Sequence, residues 1–190
     1  MTTQKKRRSG DARQRIVDTI LASDVSSQAL GKKADVHRFL EQYFANVPFE
    51  DLEGRDEDIM ARIAVEHLDF GTTRNKGQAL LRIFNVSEEE DGYSSAFTFV
   101  EMINDDMPFL VDSVAAAINQ RGLGVHITVH PIISVRRDGK GKLTGIAPTD
   151  SEDAQRESFI RFAITRVTDT KEINALKRNI RKVLTDVRVA

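Results

Sequence analysis

The 190-residue sequence contains no cysteine. This absence excludes disulfide bonds, thiolate metal sites, Fe–S clusters and a cysteine nucleophile, and it suits the cytoplasm, where we expect the protein to reside. No uncharged apolar run approaches the roughly 20 residues that a membrane helix requires. No apolar stretch of signal-peptide type follows the basic residues near the start of the sequence. We therefore expect neither an export signal nor a membrane partner.

A strong excess of one charge is also missing, since 28 Lys and Arg face 29 Asp and Glu. This balance excludes a strongly basic nucleic-acid binder and a polyacidic tail protein. The basic run Lys5-Lys6-Arg7-Arg8 is a possible nucleic-acid contact, but such runs are usually solvated and frayed. We interpret residues 1–10 as a disordered basic tail and expect no nucleic-acid partner. Apolar residues make up 40% of the chain, enough for a buried core.

The segment 11–71 carries the apolar spacing of helices. Its strongest pattern is a stripe at offsets 0, 3, 4, 7, 8 and 11, which places six side chains on one face of a helix that Pro48 ends. The stripe consists of Val36, Phe39, Leu40, Tyr43, Phe44 and Val47. A further helix is predicted over residues 57–68, with Ile59, Ile63 and Leu68 facing inward.

From residue 77 the period changes to two, which indicates strands. The pattern predicts strands over 79–86, 95–103, 125–137, 142–146 and 159–167, with helices over 108–121 and from about residue 169. Apolar residues occupy both faces of the strand at 95–103, which predicts a sheet covered by helices on one side and a partner on the other. We predict an α+β domain over 77–190, with one antiparallel sheet and helices on one face.

Several motifs that suggest chemistry have simpler interpretations. His126 and His130 lie on one predicted strand about 13 Å apart, too far to share one metal ion. His37 and His67 have no second ligand at helical spacing, and we assign them to surface or boundary positions. The acidic run at residues 88–91 is predicted to be a polar turn, and the glycines at 139 and 141 mark a hairpin. We identify no catalytic and no metal-binding residues.

The segment 104–114 is more informative, because it lies where a strand gives way to a helix. Asp106 can accept hydrogen bonds from free N–H groups of the first helical turn, and Pro108 suits that turn because its missing N–H needs no partner. Asp112 adds negative charge near the positive end of the helix. By themselves, these residues predict a well-made helix start.

The same segment resembles the ACT family of small regulatory domains, whose first strand-to-helix turn reads D-x-P-G-L-L-x-x-[VI]. The matching residues are the continuous run from Asp106 to Val111 and, three positions later, Val114. More specifically, the chain is similar to the N-terminal region of the large bacterial NAD-specific glutamate dehydrogenases over about residues 35–188. The motifs that carry this similarity lie at 105–114, 119–123, 129–131 and 136–138.

The resemblance implies an ACT/ferredoxin-like fold preceded by a helical segment. Parents of this family are many times longer, and their distant dehydrogenase domain binds NAD and oxidatively deaminates glutamate to 2-oxoglutarate and ammonia. We therefore expect a non-catalytic regulatory portion with no cofactor of its own, NAD being bound elsewhere in the parent.

ACT domains commonly bind an amino acid at this turn, which makes five residues the candidate effector site: Asn104, Asp105, Asp106, Met107 and Pro108. The sequence departs from the pattern at Phe109, where glycine would let a ligand approach the backbone; phenylalanine fills that space or packs into the core. Asp105, Asp106 and Asp112 also place negative charge where a carboxylate would dock.

Both departures favour an interaction role, in which the chain contacts other domains or subunits of the parent dehydrogenase within a homo-oligomer. The alternative is a sensor that binds a small amino acid and acts on the distant catalytic domain. A stand-alone enzyme is a third possibility, which the missing nucleotide and catalytic motifs disfavour.

Overall fold

The computed structural model describes the backbone of residues 2–189 and the side chains of residues 10–189. Its helices are α1 (Thr2–Ala22), α2 (Lys33–Phe44), α3 (Phe49–Leu52), α4 (Glu57–Phe70), α5 (Glu88–Asp91), α6 (Leu110–Asn119) and α7 (Thr170–Val189). Its strands are β1 (Leu80–Phe84), β2 (Phe97–Asp105), β3 (Val125–Val129), β4 (Ile132–Arg137), β5 (Leu143–Ile146) and β6 (Gln155–Thr165). Across residues 2–189, no helix is both long enough and apolar enough to cross a membrane.

The chain divides into two compact units, each built from two segments. The helical unit extends up to Asn75 and includes Pro131–Arg156, so it holds α1–α4 and the β4–β5 hairpin. The sheet unit comprises Lys76–His130 and the chain from Glu157 onward. The domain boundaries that the sequence predicts, at 1–10, 11–71 and 77–190, stay predictions. The side chains of the predicted basic tail, up to residue 9, lie outside the described residues.

The apolar stripe of α2 forms the centre of the helical unit. All six predicted members of the stripe are buried, with exposed fractions of 5% or less. Within this unit α2 packs against α1, α4 and the β4–β5 hairpin. Burying six such side chains contributes on the order of 10 kcal/mol before conformational entropy is subtracted. The helix ends at Phe44, before the predicted end at Pro48, and Pro48 has extended backbone at the start of α3.

The inward face of α4 differs from its prediction. Ile59 and Ile63 are only partly buried, while the buried residues of this helix are Met60, Ala61, Ala64, Val65, His67 and Leu68. The assignment of His67 to a surface or boundary position is therefore wrong. His67 is fully buried, and its Nδ1 lies 3.2 Å from the hydroxyl of Tyr43. A buried imidazole is tolerated when a hydroxyl hydrogen-bonds to it, and apolar periodicity carries no signal for such a pair.

The sheet unit contains four antiparallel strands in the order β1-β2-β6-β3. Helices α6 and α7 pack on one face, where they meet alternate strand residues in a shared core. The strands β2 and β6 and both helices contribute to that core, which includes Val100, Met102, Ile160, Phe162, Val114, Ile118, Leu176 and Ile180. The predicted α+β class, with an antiparallel sheet and helices on one face, is confirmed.

The single long strand predicted over residues 125–137 is wrong. The structure has two strands, β3 and β4, separated at His130 and Pro131. Proline has no N–H to donate to a ladder, so a strand that needs continuous pairing stops there. β3 pairs with β6 in the sheet unit, while β4 pairs with β5 in the helical unit, so Pro131 also marks the boundary between the units.

Candidate functional site

The residues predicted to bind an effector lie at the end of β2 and in the turn that follows it. Asn104 is fully buried and Asp105 is the last residue of the strand. Asp106 and Pro108 are exposed, and Met107 lies between them in the turn. The five residues are therefore contiguous in space as well as in sequence, but they occupy different environments.

The two strand residues of this group are held by the last helix. Arg188 donates from Nη1 to Asp105 Oδ2 at 2.8 Å and from Nη2 to the amide oxygen of Asn104. The backbone N–H of Gly77 donates to the same oxygen of Asp105 at 3.0 Å. These bonds occupy oxygen atoms that would otherwise accept from the ammonium group of a ligand. Charge-assisted bonds of this kind are about twice as strong as neutral ones.

A second set of contacts joins the turn to β6 and to the end of β3. Ser158 Oγ donates to Asp106 Oδ1 at 3.2 Å and lies 3.1 Å from His130 Nε2. Since the serine proton is directed to the carboxylate, the imidazole must donate from Nε2 to the serine oxygen. Partial burial lowers the pKa of His130, and the nearby Asp106 carboxylate opposes that shift. The ring therefore favours its neutral form.

This chain of contacts is not arranged as a hydrolytic triad. In a triad the histidine takes the serine proton and the carboxylate orients the histidine. Here the serine lies between the two other groups, so Asp106 and His130 both contact Ser158. The arrangement ties the turn to the sheet, and it gives the serine no general base.

The start of α6 differs from the predicted helix cap. The helix begins at Leu110, and the N-cap position falls on Phe109 rather than on Asp106. The side chain of Phe109 makes no capping hydrogen bond. The prediction that Asp106 caps this helix is wrong, because three further residues follow Asp106 before the helix begins at Leu110.

Phe109 is itself unusual, since it has φ +62° and is 75% exposed. Of the two alternatives predicted for its ring, packing into the core is wrong, and filling the ligand space stays a prediction. A left-handed backbone suits glycine and costs other residues roughly 1–2 kcal/mol. The turn thus keeps the backbone conformation that glycine would adopt, and the side chain at this position extends into solvent.

The sheet face opposite α6 and α7 carries a buried charge cluster that the apolar pattern of the sequence does not predict. Glu101 is fully buried between Arg82, which donates from Nε at 2.6 Å, and Arg161, which is 8% exposed. The Arg161 guanidinium carbon lies 4.0 Å from the ring centroid of Phe99, within cation–π range. One signal was present in the sequence: Glu101 interrupts the alternate apolar positions of a predicted strand, where a charge needs a partner.

Apolar side chains surround this cluster on the same face. Phe99, Ala163 and Val86 are buried, and Phe84, Tyr93, Phe97 and Ile127 are partly buried against them. All of these residues come from strands or from the loop between β1 and β2. The face thus combines aromatic rings with arginines, a composition enriched at protein interfaces.

The two histidines near the ends of β3 contact different partners. His126 contacts Thr165 and His130 contacts Ser158, so the two histidines are engaged separately. Within the described part of the chain, no group of three or more His, Asp or Glu side chains is arranged to hold a metal ion.

The comparisons with known proteins agree with this fold. Residues 39–180 match the family model described as the ACT1 domain of glutamate dehydrogenase. Over 161 residues the chain is 33% identical to an NAD-specific glutamate dehydrogenase of Halomonas elongata, and over 167 residues it is 34% identical to one of Pseudomonas aeruginosa. These matches cover 84% and 86% of this chain but only 10% of each relative.

The matched region includes the whole turn after β2 and most of both units. The resemblance that the turn, the helix α6 and the Val129-His130-Pro131 motif indicate is confirmed. The chain belongs to the family of the ACT1 domain of glutamate dehydrogenase.

Proposed function

We propose that this chain is a non-catalytic regulatory portion of an NAD-dependent glutamate dehydrogenase, and that it supports the assembly of domains or subunits. The parent oxidatively deaminates glutamate to 2-oxoglutarate and ammonia in a distant domain, which binds NAD. The names of the relatives support this parent activity. The observation that carries the assembly role is the aromatic and arginine-rich sheet face opposite α6 and α7.

The chemistry of this face favours a protein partner over a small ligand. Phe97 and Ile127 are partly exposed around a core whose charges, Glu101 and Arg161, are already paired. Such a face offers apolar area and stacked guanidinium groups, which are typical of interface hot spots. Its paired carboxylate offers little to a free ligand.

The rest of the parent polypeptide is the occupant that we assign to this face. The chain spans about one-tenth of the length of the relatives that it matches, so most of such a polypeptide lies outside it. A covalently linked partner acts at a high effective concentration, so even a modest apolar contact is occupied. The oligomer then forms from subunits that carry this contact.

The alternative role, an effector sensor at Asn104–Pro108, requires a ligand to compete with contacts already present. Arg188 and the backbone of Gly77 occupy Asp105, and Ser158 occupies Asp106. A sensor predicts that an amino acid raises the melting temperature and that Asp106→Asn abolishes this stabilisation. The assembly role predicts no stabilisation that depends on Asp106.

The direct test places a charge on the proposed interface in the full-length dehydrogenase. We expect Phe97→Glu to lower the oligomeric mass measured by light scattering and to reduce NAD-linked glutamate oxidation. Val189→Glu is the matched control, because Val189 is 82% exposed on α7 and lies outside the face. Retention of mass and activity by Phe97→Glu, with a folded domain, contradicts the proposal.

A further inference from the structure

A pocket in the sheet unit lies between the segment that leads into β1 and the C-terminal part of α7. Its volume is about 400 Å³, within the range of small-molecule sites. It is lined by Gly77, Ala79, Leu81, Arg181, Leu184, Thr185 and Arg188. From this lining we propose that the pocket is a binding site for a short aliphatic dicarboxylate. The proposal does not depend on the assembly role.

Four of the lining residues come from one face of α7. Positions 181, 184, 185 and 188 follow the spacing 0, 3, 4 and 7, so their side chains lie side by side. The two arginines are separated by two turns, which places their Cα atoms about 10 Å apart. Leu184 and Thr185 lie on the helix between the two arginines, so an apolar side chain and a hydroxyl group separate the two guanidinium groups.

The two arginines differ in how they are held. Arg188 is fixed by Asp105 and Asn104, which use only two of its five N–H donors. The guanidinium of Arg181 makes no hydrogen bond or ion pair with another described residue. One arginine is therefore oriented in advance, and the other can close on an anion. This pair favours a ligand with a carboxylate at each end.

The remaining lining residues suit the chain between two carboxylates. Leu81, Ala79 and Leu184 provide apolar contact for methylene groups. Gly77 has φ +84°, and a Cβ at this position would come within 3.6 Å of Arg188 Nη1. The 3.6 Å distance is an ordinary van der Waals contact, so the left-handed backbone is what requires glycine here, and the glycine adds no side chain beside the guanidinium.

The charges of this site also select an anion. Arg181 and Arg188 contribute two positive charges, and Asp105, which contacts Arg188, contributes one negative charge. The excess of positive charge excludes diamines and disfavours neutral molecules. The predicted effector residues Asn104 and Asp105 support this site through Arg188, although they do not line it.

The test uses the intact chain with glutarate, and with butyrate and glutaramide as comparisons at constant ionic strength. We expect calorimetry to show that glutarate binds at least tenfold more tightly than butyrate, with no binding of glutaramide. Glutarate should also raise the melting temperature. Equal binding of glutarate and butyrate, or no binding of glutarate, would overturn the proposal.

Two variants on the same helix distinguish a built site from general attraction to a basic surface. Arg181→Gln should weaken glutarate binding at least tenfold and leave the melting temperature of the free chain unchanged. Arg178→Gln removes an exposed arginine that does not line the pocket, and it should leave the affinity unchanged. Equal losses in both variants, or no loss in Arg181→Gln, would refute the assignment. None of these outcomes depends on oligomer assembly.

Discussion

Two buried polar side chains, one in each unit, are satisfied in different ways. In the helical unit the buried amide of Gln42 bonds to backbone atoms: it accepts from the N–H of Ser134 at 2.8 Å and donates to the carbonyl of Ala147 at 2.7 Å. In the sheet unit the buried carboxylate of Glu101 bonds to side chains of opposite charge, those of Arg82 and Arg161. The first site depends on hydrogen-bond geometry, and the second depends on charge pairing.

This difference has consequences for stability. A neutral hydrogen bond contributes about 1 kcal/mol, and losing a partner leaves a buried group unsatisfied at a cost of about 1–3 kcal/mol. A buried charge that loses its partner costs about 3–5 kcal/mol.

Each unit contains one of the two tyrosines, Tyr43 and Tyr93. Tyrosine fluorescence in single Tyr→Phe backgrounds can therefore report on the unfolding of each unit separately.

The largest effect is expected from Glu101→Gln, which keeps the size of the side chain and removes its charge. Two arginines then face each other without the carboxylate, and Arg161 has little access to water. We expect the free energy of unfolding of the sheet unit to fall by about 3 kcal/mol, measured by urea titration.

The comparison is with an exposed ion pair of the helical unit: Asp153→Asn removes the partner of Arg136 and is followed by Tyr43. The side chain of Asp153 is 64% exposed. Its pKa is lowered to about 2, mainly by the hydrogen bond from Arg136 and secondly by the hydrogen bond from Ser151. Water replaces the lost partner at such an exposed pair. We expect almost no change in the urea midpoint. Similar small changes in both variants would show that burial of Glu101 does not govern the stability of the sheet unit.

A smaller effect is expected from Gln42→Leu in the helical unit. Leucine has nearly the volume of glutamine but leaves the N–H of Ser134 and the carbonyl of Ala147 without this partner. We expect a loss of roughly 2–3 kcal/mol, reported by Tyr43. Gln42→Glu retains an acceptor for Ser134 and loses the donor to Ala147, so it separates the two bonds. An unchanged midpoint for Gln42→Leu would contradict the importance of these bonds.

The sequence was most informative where burial follows a simple period. The stripe of α2 and the alternation of β2 predicted the buried residues, because apolar burial repeats every 3.6 or 2 residues. The same rules could not place Gln42 or His67, since their partners lie far away in sequence. Polar burial depends on which distant atoms meet, and a single sequence carries no period for that.

The candidate site shows the same limit. The resemblance located the turn at 104–108 and identified the family, but it did not reveal that Arg188, more than 80 residues later, holds Asn104 and Asp105. Phe109 was recognised as a departure from glycine, yet its left-handed backbone and exposed ring required coordinates. Pro131 carried a signal for the end of β3 that apolar content alone obscured.

The smallest expected effect is a pH dependence of the sheet unit that arises from His130. Partial burial lowers the pKa of His130 below its usual value of 6.5, so near pH 6 the unfolded state binds more protons at this site than the folded state. The His130 contribution to stability is therefore present above the unfolded pKa and is lost as the pH falls through 6.5 toward the lowered folded pKa. In His130→Gln, which can still donate to Ser158, the melting temperature of the sheet unit, reported by Tyr93, should fall less between pH 7 and pH 5 than in the unmodified chain. Tyr43 should report the same pH dependence in both proteins, because His130 belongs to the sheet unit. If the melting temperature reported by Tyr93 falls as much in the variant as in the unmodified chain, the pH dependence arises from other groups and His130 has no part in the comparison between the two units.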